Sequence, residues 1–218
     1  VTALVVAMDG PSGSGKSSAS RGVARALGLR YLDTGAMYRA ITWWMLEHGV
    51  DVGDPQAVAA RADAARLAIT TDPEAPGVTV DGRDVSAEIR TQEVTSAVSA
   101  VSAVPQVRAR LVAEQRAIIG DGDIVVEGRD IGSVVAPGAA VKVYLTASPE
   151  ARARRRTAEL TGTTLEAQRV AMARRDTLDS TRKADPLVMA ADAIELDTTE
   201  LNLEEVIAEV LRLVKERT

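Results

Sequence analysis

The stretch Asp9-Gly10-Pro11-Ser12-Gly13-Ser14-Gly15-Lys16-Ser17 fits the phosphate-binding pattern G-x-x-x-x-G-K-[ST], with Gly10, Gly15, Lys16 and Ser17 at the defining positions. Its chemistry follows from geometry. Glycines let the backbone curl, so that successive N–H groups between Gly10 and Ser18, Pro11 having none, can point at one anion. A helix starting there adds unpaired N–H groups and a partial positive charge. Lys16 would reach the β- and γ-phosphates of a nucleoside triphosphate, and the Ser17 hydroxyl would hold Mg²⁺. Other groups could serve the same cleft: Asp33 to Arg39, Glu127-Gly128-Arg129-Asp130, and Arg152, Arg154, Arg155 and Arg156. Glu127 stands where an acid could hold Mg²⁺ through water, although a carboxylate at a strand end can also be a plain surface group. Arg175, Asp179 and Arg182 are spaced i, i+4, i+7, one face of a helix if the helix extends that far. By spacing alone they read as an exposed ion-pair ladder. His48, the only histidine, falls at a helix C-terminus and needs no catalytic explanation.

These groups need a frame. Ala3 to Met8 is a short apolar run rich in β-branched residues, the mark of a buried strand. Ser18 to Leu27 follows at helical spacing and stops at Gly28. Leu29 to Leu32 reads as a second strand, delivering a helix that runs to about His48. Pro55 to Leu67 is Ala-rich and reads as helix; Leu67 to Thr71 and Val78 to Val80, with Asp81-Gly82, read as a small antiparallel hairpin. Helices are expected over Ser86 to Val104 and Gln106 to Ile119, the second opened by Pro105. Asp123 to Glu127, Val141 to Leu145 and Ala193 to Leu196 are further strands. Helices are expected from Ser148, broken at Thr161 to Thr164, over Leu165 to about Thr177, and from Asn202 to Arg217.

The expected fold class is therefore α/β: a three-layer domain with a central parallel sheet flanked by helices. Ligands gather beyond the carboxyl ends of such strands. The phosphate loop, Asp33 to Arg39 and Glu127 to Asp130 all lie at such ends.

Composition narrows the function. A net charge of −5 and 2% aromatic residues argue against a nucleic-acid binder or a base-stacking groove. The chain has no cysteine, which excludes disulfides and thiolate metal sites. No apolar run spans a membrane, and the opening Val1-Thr2-Ala3-Leu4 has no basic leader, so a cytoplasmic protein is expected. A switch GTPase would need Asn-Lys-x-Asp, but the only asparagine is Asn202, followed by Leu203. A transporter ATPase would need a Leu-Ser-Gly-Gly-Gln signature, which is missing. What remains is a small-molecule kinase or a motor-like ATPase, and the arginines favour the kinase.

Thr34-Gly35-Ala36-Met37-Tyr38-Arg39 resembles the T-G-x-M-x-R element of nucleoside monophosphate kinases, and Glu127-Gly128-Arg129-Asp130 resembles an element of bacterial cytidylate kinases. Ser86 to Gln92, Pro186-Leu187 and Ala190 to Ala193 are similar to that family too, so the likeness covers nearly the whole chain. The resemblance implies one domain: a core (1–50, 91–150, 163–218), an insert at 51–90 enlarging the monophosphate-binding part, and an arginine-rich lid at 151–162. It implies transfer of the γ-phosphoryl of ATP to CMP or dCMP with Mg²⁺, by a monomer with no nucleic-acid or membrane partner. Arg39 and Arg129 would grip the acceptor phosphate beside Thr34 and Tyr38. Arg175 and Asp179 would face the acceptor ribose, and Arg182 phosphate. One or two lid arginines, Arg155 chosen among them, would reach the transferring group. Ser99, Arg108 and Asp130 would read the cytosine ring, unless Asp130 merely pairs with Arg129 or a lid arginine. Another acceptor (UMP, AMP or shikimate) and an acceptor-independent regulatory ATPase are the rival readings.

Overall fold

The computed structural model describes residues 3–218; Val1 and Thr2 of the opening stretch lie outside it. The chain runs β1 (Val5–Asp9), α1 (Lys16–Leu27), β2 (Arg30–Asp33), α2 (Thr34–Glu47), α3 (Pro55–Ala60), β3 (Leu67–Ile69), β4 (Val78–Val80), β5 (Arg83–Asp84), α4 (Gln92–Ser102), α5 (Pro105–Ile119), β6 (Ile124–Gly128), β7 (Val141–Thr146), α6 (Pro149–Glu159), α7 (Leu165–Thr181), β8 (Ile194–Asp197) and α8 (Leu203–Arg217). Five strands form a parallel sheet in the order β2-β6-β1-β7-β8.

The pleat sorts the apolar residues onto two faces. Val6, Met8, Tyr31, Val125, Val143 and Leu145 pack with α1 and α8, while Ala7, Leu32, Ile124 and Val126 pack with α2, α4 and α5. Strands covered on both sides must be apolar on both sides, which is why they read as continuous hydrophobic runs. The Asn202–Glu205 capping box starts α8 as its sequence predicts, worth about 1 kcal/mol.

The 51–90 segment carries its own antiparallel sheet, β3-β4-β5, with Asp81-Gly82 turning β4 into β5. Its buried side chains, among them Val58, Val78, Val80 and Ile89, join the α2/α4/α5 core. Two local expectations are corrected here. The Ala-rich helix stops at Ala60 rather than running to Leu67. Arg110 on α5 takes the carbonyls of Ala62 (2.7 Å) and Ala65 (2.5 Å), and the Arg66 N–H, which a helix continuing to Leu67 would have given to the Ala62 carbonyl, donates to Asp81 Oδ1 (2.9 Å) instead. Likewise, the 86–104 segment is not one helix. A 3₁₀ turn over Glu88–Arg90 gives its Ile89 carbonyl to Arg39 (2.9 Å), and α4 starts afresh with Thr91 as its cap. The other helices and strands lie within a few residues of expectation, α7 extending four residues further, to Thr181.

Candidate active site

The phosphate loop joins β1 to α1. Gly10 has φ +147, and a Cβ there would lie 2.2 Å from the Leu145 carbonyl oxygen, so only glycine fits between the loop and β7. Gly10, Pro11 and Ser14 build the loop rather than line its cleft. The Pro11 carbonyl accepts from Lys16 Nζ and Ser14 Oγ (both 2.8 Å), and the Gly10 carbonyl accepts from Arg129 Nη1 (2.8 Å). Ser12, Gly13, Gly15, Lys16, Ser17 and Ser18 face the cleft.

Opposite the loop, the tip of β6 presents Glu127 to Asp130. Glu127 is 3% exposed and is not the surface carboxylate that its strand-end position allowed. Its Oε1 accepts from Ser17 Oγ (2.7 Å) and Tyr31 Oη (3.0 Å), while its Oε2 is buried with no partner. Burial pushes the Glu127 carboxyl up and the Lys16 ammonium down, the second helped by Arg129. An orphaned carboxylate oxygen beside a serine hydroxyl fits a hydrated Mg²⁺, which the loop serine and substrate phosphates would complete. Among the described residues no cluster of three or more His, Cys, Asp or Glu side chains gathers to hold a metal unaided.

The chain after Asp130 forms a π-helical turn, Ile131–Val135, that its sequence does not announce. Asp9, at the end of β1, holds it by accepting from the Ile131 and Gly132 N–H groups (2.9 and 2.8 Å). Burial pushes the Asp9 carboxyl up to about 6 against those two bonds. Asp9 and the Arg129–Gly10 bond thus tie the phosphate loop to the Arg129-Asp130 strap from both sides. Asp9 sits directly before the motif, and no rule of spacing marks it as a clamp.

α2 supplies Thr34, Tyr38 and Arg39, all lining the same cleft. Asp33 caps this helix (3.0 Å to the Ala36 N–H) and pairs with Arg90 (3.2 Å), another lining residue that sequence reasoning passed over. Arg39 is buried against Ile89 and Thr95 (2.9 Å each), and burial followed by repulsion from Arg175 lowers it to about 9. From α4 and α5 come Ser99 and Arg108. Arg108 is 2% exposed, with Nη2 on the Asp130 carboxylate and Nη1 on the Ser102 carbonyl (3.1 Å). Its guanidinium lies 5.0 Å from the centre of the Tyr38 ring. Asp130 therefore pairs with neither Arg129 nor a lid arginine but with Arg108, and among the described residues its other oxygen accepts no hydrogen bond. Burial raises the Asp130 carboxyl, and the Arg108 charge opposes this.

The α7 face is not a solvated ladder. Asp179 is 3% exposed, accepts from Ser99 Oγ (3.0 Å) and pairs with Arg129 Nε (2.5 Å). Arg175 turns to the phosphate loop, its Nη1 3.4 Å from Ser12 Oγ. Arg182 lines the cleft from the C-terminal end of α7. Arg155 is displaced from the role expected of it. Its guanidinium binds the Thr198 hydroxyl (3.0 Å) and carbonyl (2.5 Å), where Thr198 in turn donates to the Ser14 carbonyl (3.2 Å). The lid arginine lining the cleft is Arg156, one residue on and therefore turned about 100° around the helix. Arg152 meets Asp176 (2.5 Å) and the Ser12 carbonyl (3.2 Å), fixing α6 to α7 and to the loop.

Lys16, Arg39, Arg175 and Arg182 all line this cleft, and among the described residues none forms an ion pair with a carboxylate. Arg39 is buried and the other three are half-buried, and cations so withdrawn from water without counterions are costly unless an anion arrives to meet them. The site is therefore built for a polyanion.

The family model for cytidylate kinase matches residues 6–216. The chain belongs to the cytidylate kinase family. It is 57% identical to a cytidylate kinase of Streptomyces avermitilis, covering 100% of this chain and 95% of that protein. The cytidylate kinases of Streptomyces griseus (59% identity, 98% and 94% covered) and Mycolicibacterium paratuberculosis (51%, 99% and 96%) are similar over the same span. Among solved structures, an uncharacterized protein from Eubacterium ventriosum (TM-score 0.54, 9% identity, 98% and 99% covered) shares the fold. So does a shikimate kinase from Bacteroides thetaiotaomicron (0.50, 12%, 97% and 98%). At such identities the likeness concerns the fold alone.

Proposed function

We propose that the chain transfers the γ-phosphoryl group of ATP to CMP or dCMP, giving ADP and the nucleoside diphosphate. The observation that carries this reading is the convergence of four cations without carboxylate partners on the cleft that also holds the phosphate loop and the Ser99–Arg108–Asp130 group. Two anionic substrates meeting there would supply the missing counter-charge. The acceptor phosphate is itself the nucleophile and is ionised at pH 7, so no side chain has to activate it. Catalysis is then alignment and charge neutralisation.

In this division of labour the loop amides and Lys16 hold the donor phosphates, with Arg175 closing over Ser12. Ser17 and Glu127 would hold a hydrated Mg²⁺, whose chemistry is to neutralise charge building between the β- and γ-phosphates. Arg39, Arg129 and Arg182 grip the acceptor phosphate, and Thr34 and Tyr38 line its seat. Ser99, Arg108 and Asp130 face the base, and Asp179 joins that group to Arg129. The residues assigned to both substrates belong to one subunit, and we take the enzyme to act as a monomer. Among the described residues no helix is long and apolar enough to cross a membrane; we place the enzyme in the cytoplasm, with its substrates.

The test is a panel of acceptors with ATP and Mg²⁺, scored for ADP release. Turnover is expected with CMP and dCMP, weakly with UMP, and not with AMP or shikimate. ADP release indifferent to the acceptor would instead indicate a regulatory ATPase.

The reading also requires closure, because water in the cleft would hydrolyse ATP. The 151–162 lid, on α6 and the turn after it, and the 51–90 insert are the parts proposed to close. Hydrogen exchange over Arg152 to Thr164 should slow when a non-hydrolysable ATP analogue and CMP bind together. Unchanged exchange there at saturation would remove the lid from the mechanism.

A further inference from the structure

Asp185 lies in the turn after α7, between Arg182 and Pro186, at φ +46. It is absent from the residues that line the cleft, and its side chain is 31% exposed. It nevertheless makes contacts with two of the site's arginines. Its carboxylate Oδ2 accepts from Arg108 Nε at 2.9 Å. Its backbone carbonyl accepts from Arg182 Nε and Nη2 at 2.8 and 2.6 Å. The turn is itself pinned, since the Leu187 N–H donates to the Asp179 carbonyl at 2.8 Å.

A guanidinium can swing about its side-chain bonds unless more than one edge is held. Arg108 is held on three: Nη2 by Asp130, Nη1 by the Ser102 carbonyl, and Nε by Asp185. The first two partners belong to residues that line the cleft. Only Asp185 reaches the Nε edge from α7's side of the cleft. The left-handed backbone at Asp185, which aspartate tolerates better than most residues, turns the carbonyl towards Arg182 while the carboxylate faces Arg108.

We propose that Asp185 is a positioning and specificity-determining residue of the acceptor site. Through its carboxylate it fixes the arginine that faces the base. Through its carbonyl it seats the arginine that faces the acceptor phosphate. One residue thereby couples recognition of the pyrimidine to the grip on its phosphate. The proposal rests on the reading of Arg108 and Asp130 as the base-facing pair.

Glycine at this position accepts φ +46 and keeps the carbonyl for Arg182, but removes the carboxylate. Asp185→Gly is expected to narrow the CMP:UMP ratio of kcat/KM on the order of tenfold, through a raised KM for CMP with kcat nearly kept. Asp185→Asn keeps an acceptor oxygen and tolerates the backbone, so it should restore most of the ratio. Asp185→Ala disfavours the left-handed backbone and should also lower kcat, because the Arg182 seat moves. Asp130→Ala, measured alongside, separates the two claims. If it collapses the ratio while Asp185→Gly leaves the ratio intact, the role of Asp185 is overturned and the base-facing pair stands. If neither moves the ratio, both claims fail. Equal losses for CMP and UMP in Asp185→Gly would show a merely structural residue and overturn the proposal. Should the glycine variant not fold, Asp185→Ala carries the ratio test, since the shifted Arg182 seat lowers kcat for CMP and UMP alike and leaves their ratio to report the lost carboxylate.

Discussion

Replacing Lys16 by alanine is expected to lower kcat by about 10²–10³-fold, the usual loss when one preorganised charge is removed from a transition state. The structure gives the reason. Lys16 lies in the loop with its Nζ on the Pro11 carbonyl at 2.8 Å and no carboxylate paired with it among the described residues. Burial, and then Arg129, lower its affinity for a proton, while Glu127 raises it. Its charge is therefore poorly supported until phosphates arrive and draw it back to the cationic form. The same logic predicts that the fold does not depend on it. An under-compensated buried cation costs stability, so the alanine variant should unfold at the wild-type temperature or slightly above it. Steady-state ADP release with saturating ATP and CMP, beside a thermal melt, reads both claims. Wild-type turnover would remove Lys16 from the donor site.

Asp130→Ala is expected to collapse the preference for CMP over UMP by about 10–100-fold, the range for losing one base-directed hydrogen bond with a charged partner. Asp130 is 2% exposed, and one of its oxygens is committed to Arg108. An ionised carboxylate accepts from the exocyclic amine of cytosine, as acidic side chains do with that base elsewhere. Uracil presents a carbonyl there instead, and oxygen would face oxygen. Burial raises the Asp130 carboxyl, with the Arg108 charge opposing that rise; the case for an accepting carboxylate rests on its ion pair with the Arg108 guanidinium, which a neutral carboxyl would not form. The measurement is kcat/KM for both acceptors. Loss of both in equal proportion would make Asp130 an organiser of the phosphate site and move base discrimination elsewhere.

Much of this was legible because strands and loops obey local rules. The apolar run before Gly10, the glycine spacing and the lysine determine a strand, a turn and a helix N-terminus whatever surrounds them. The sequence by itself therefore determined the parallel sheet, the phosphate loop at the carboxyl end of its first strand and the antiparallel hairpin around Asp81-Gly82. Its resemblance to a family pointed to the arginines and to the Ser99, Arg108 and Asp130 positions.

What it could not determine was pairing between side chains far apart in the chain. That Arg110 would end α3 by taking the Ala62 and Ala65 carbonyls depends on a helix 45 and more residues away. That Arg156 and not Arg155 would face the cleft depends on the rotation of α6, which is settled by the Arg155–Thr198 and Arg152–Asp176 contacts. No spacing marks what Asp9, Asp33, Arg90 and Asp185 hold on to; Asp9 meets the Ile131–Val135 turn, Asp33 meets Arg90 and Asp185 meets Arg108 only when separate elements are brought together. The physical reason is the same in every case. Backbone conformation follows from neighbours along the chain, but the partner of a charge is chosen by distance in space, and only the packed tertiary structure sets that distance.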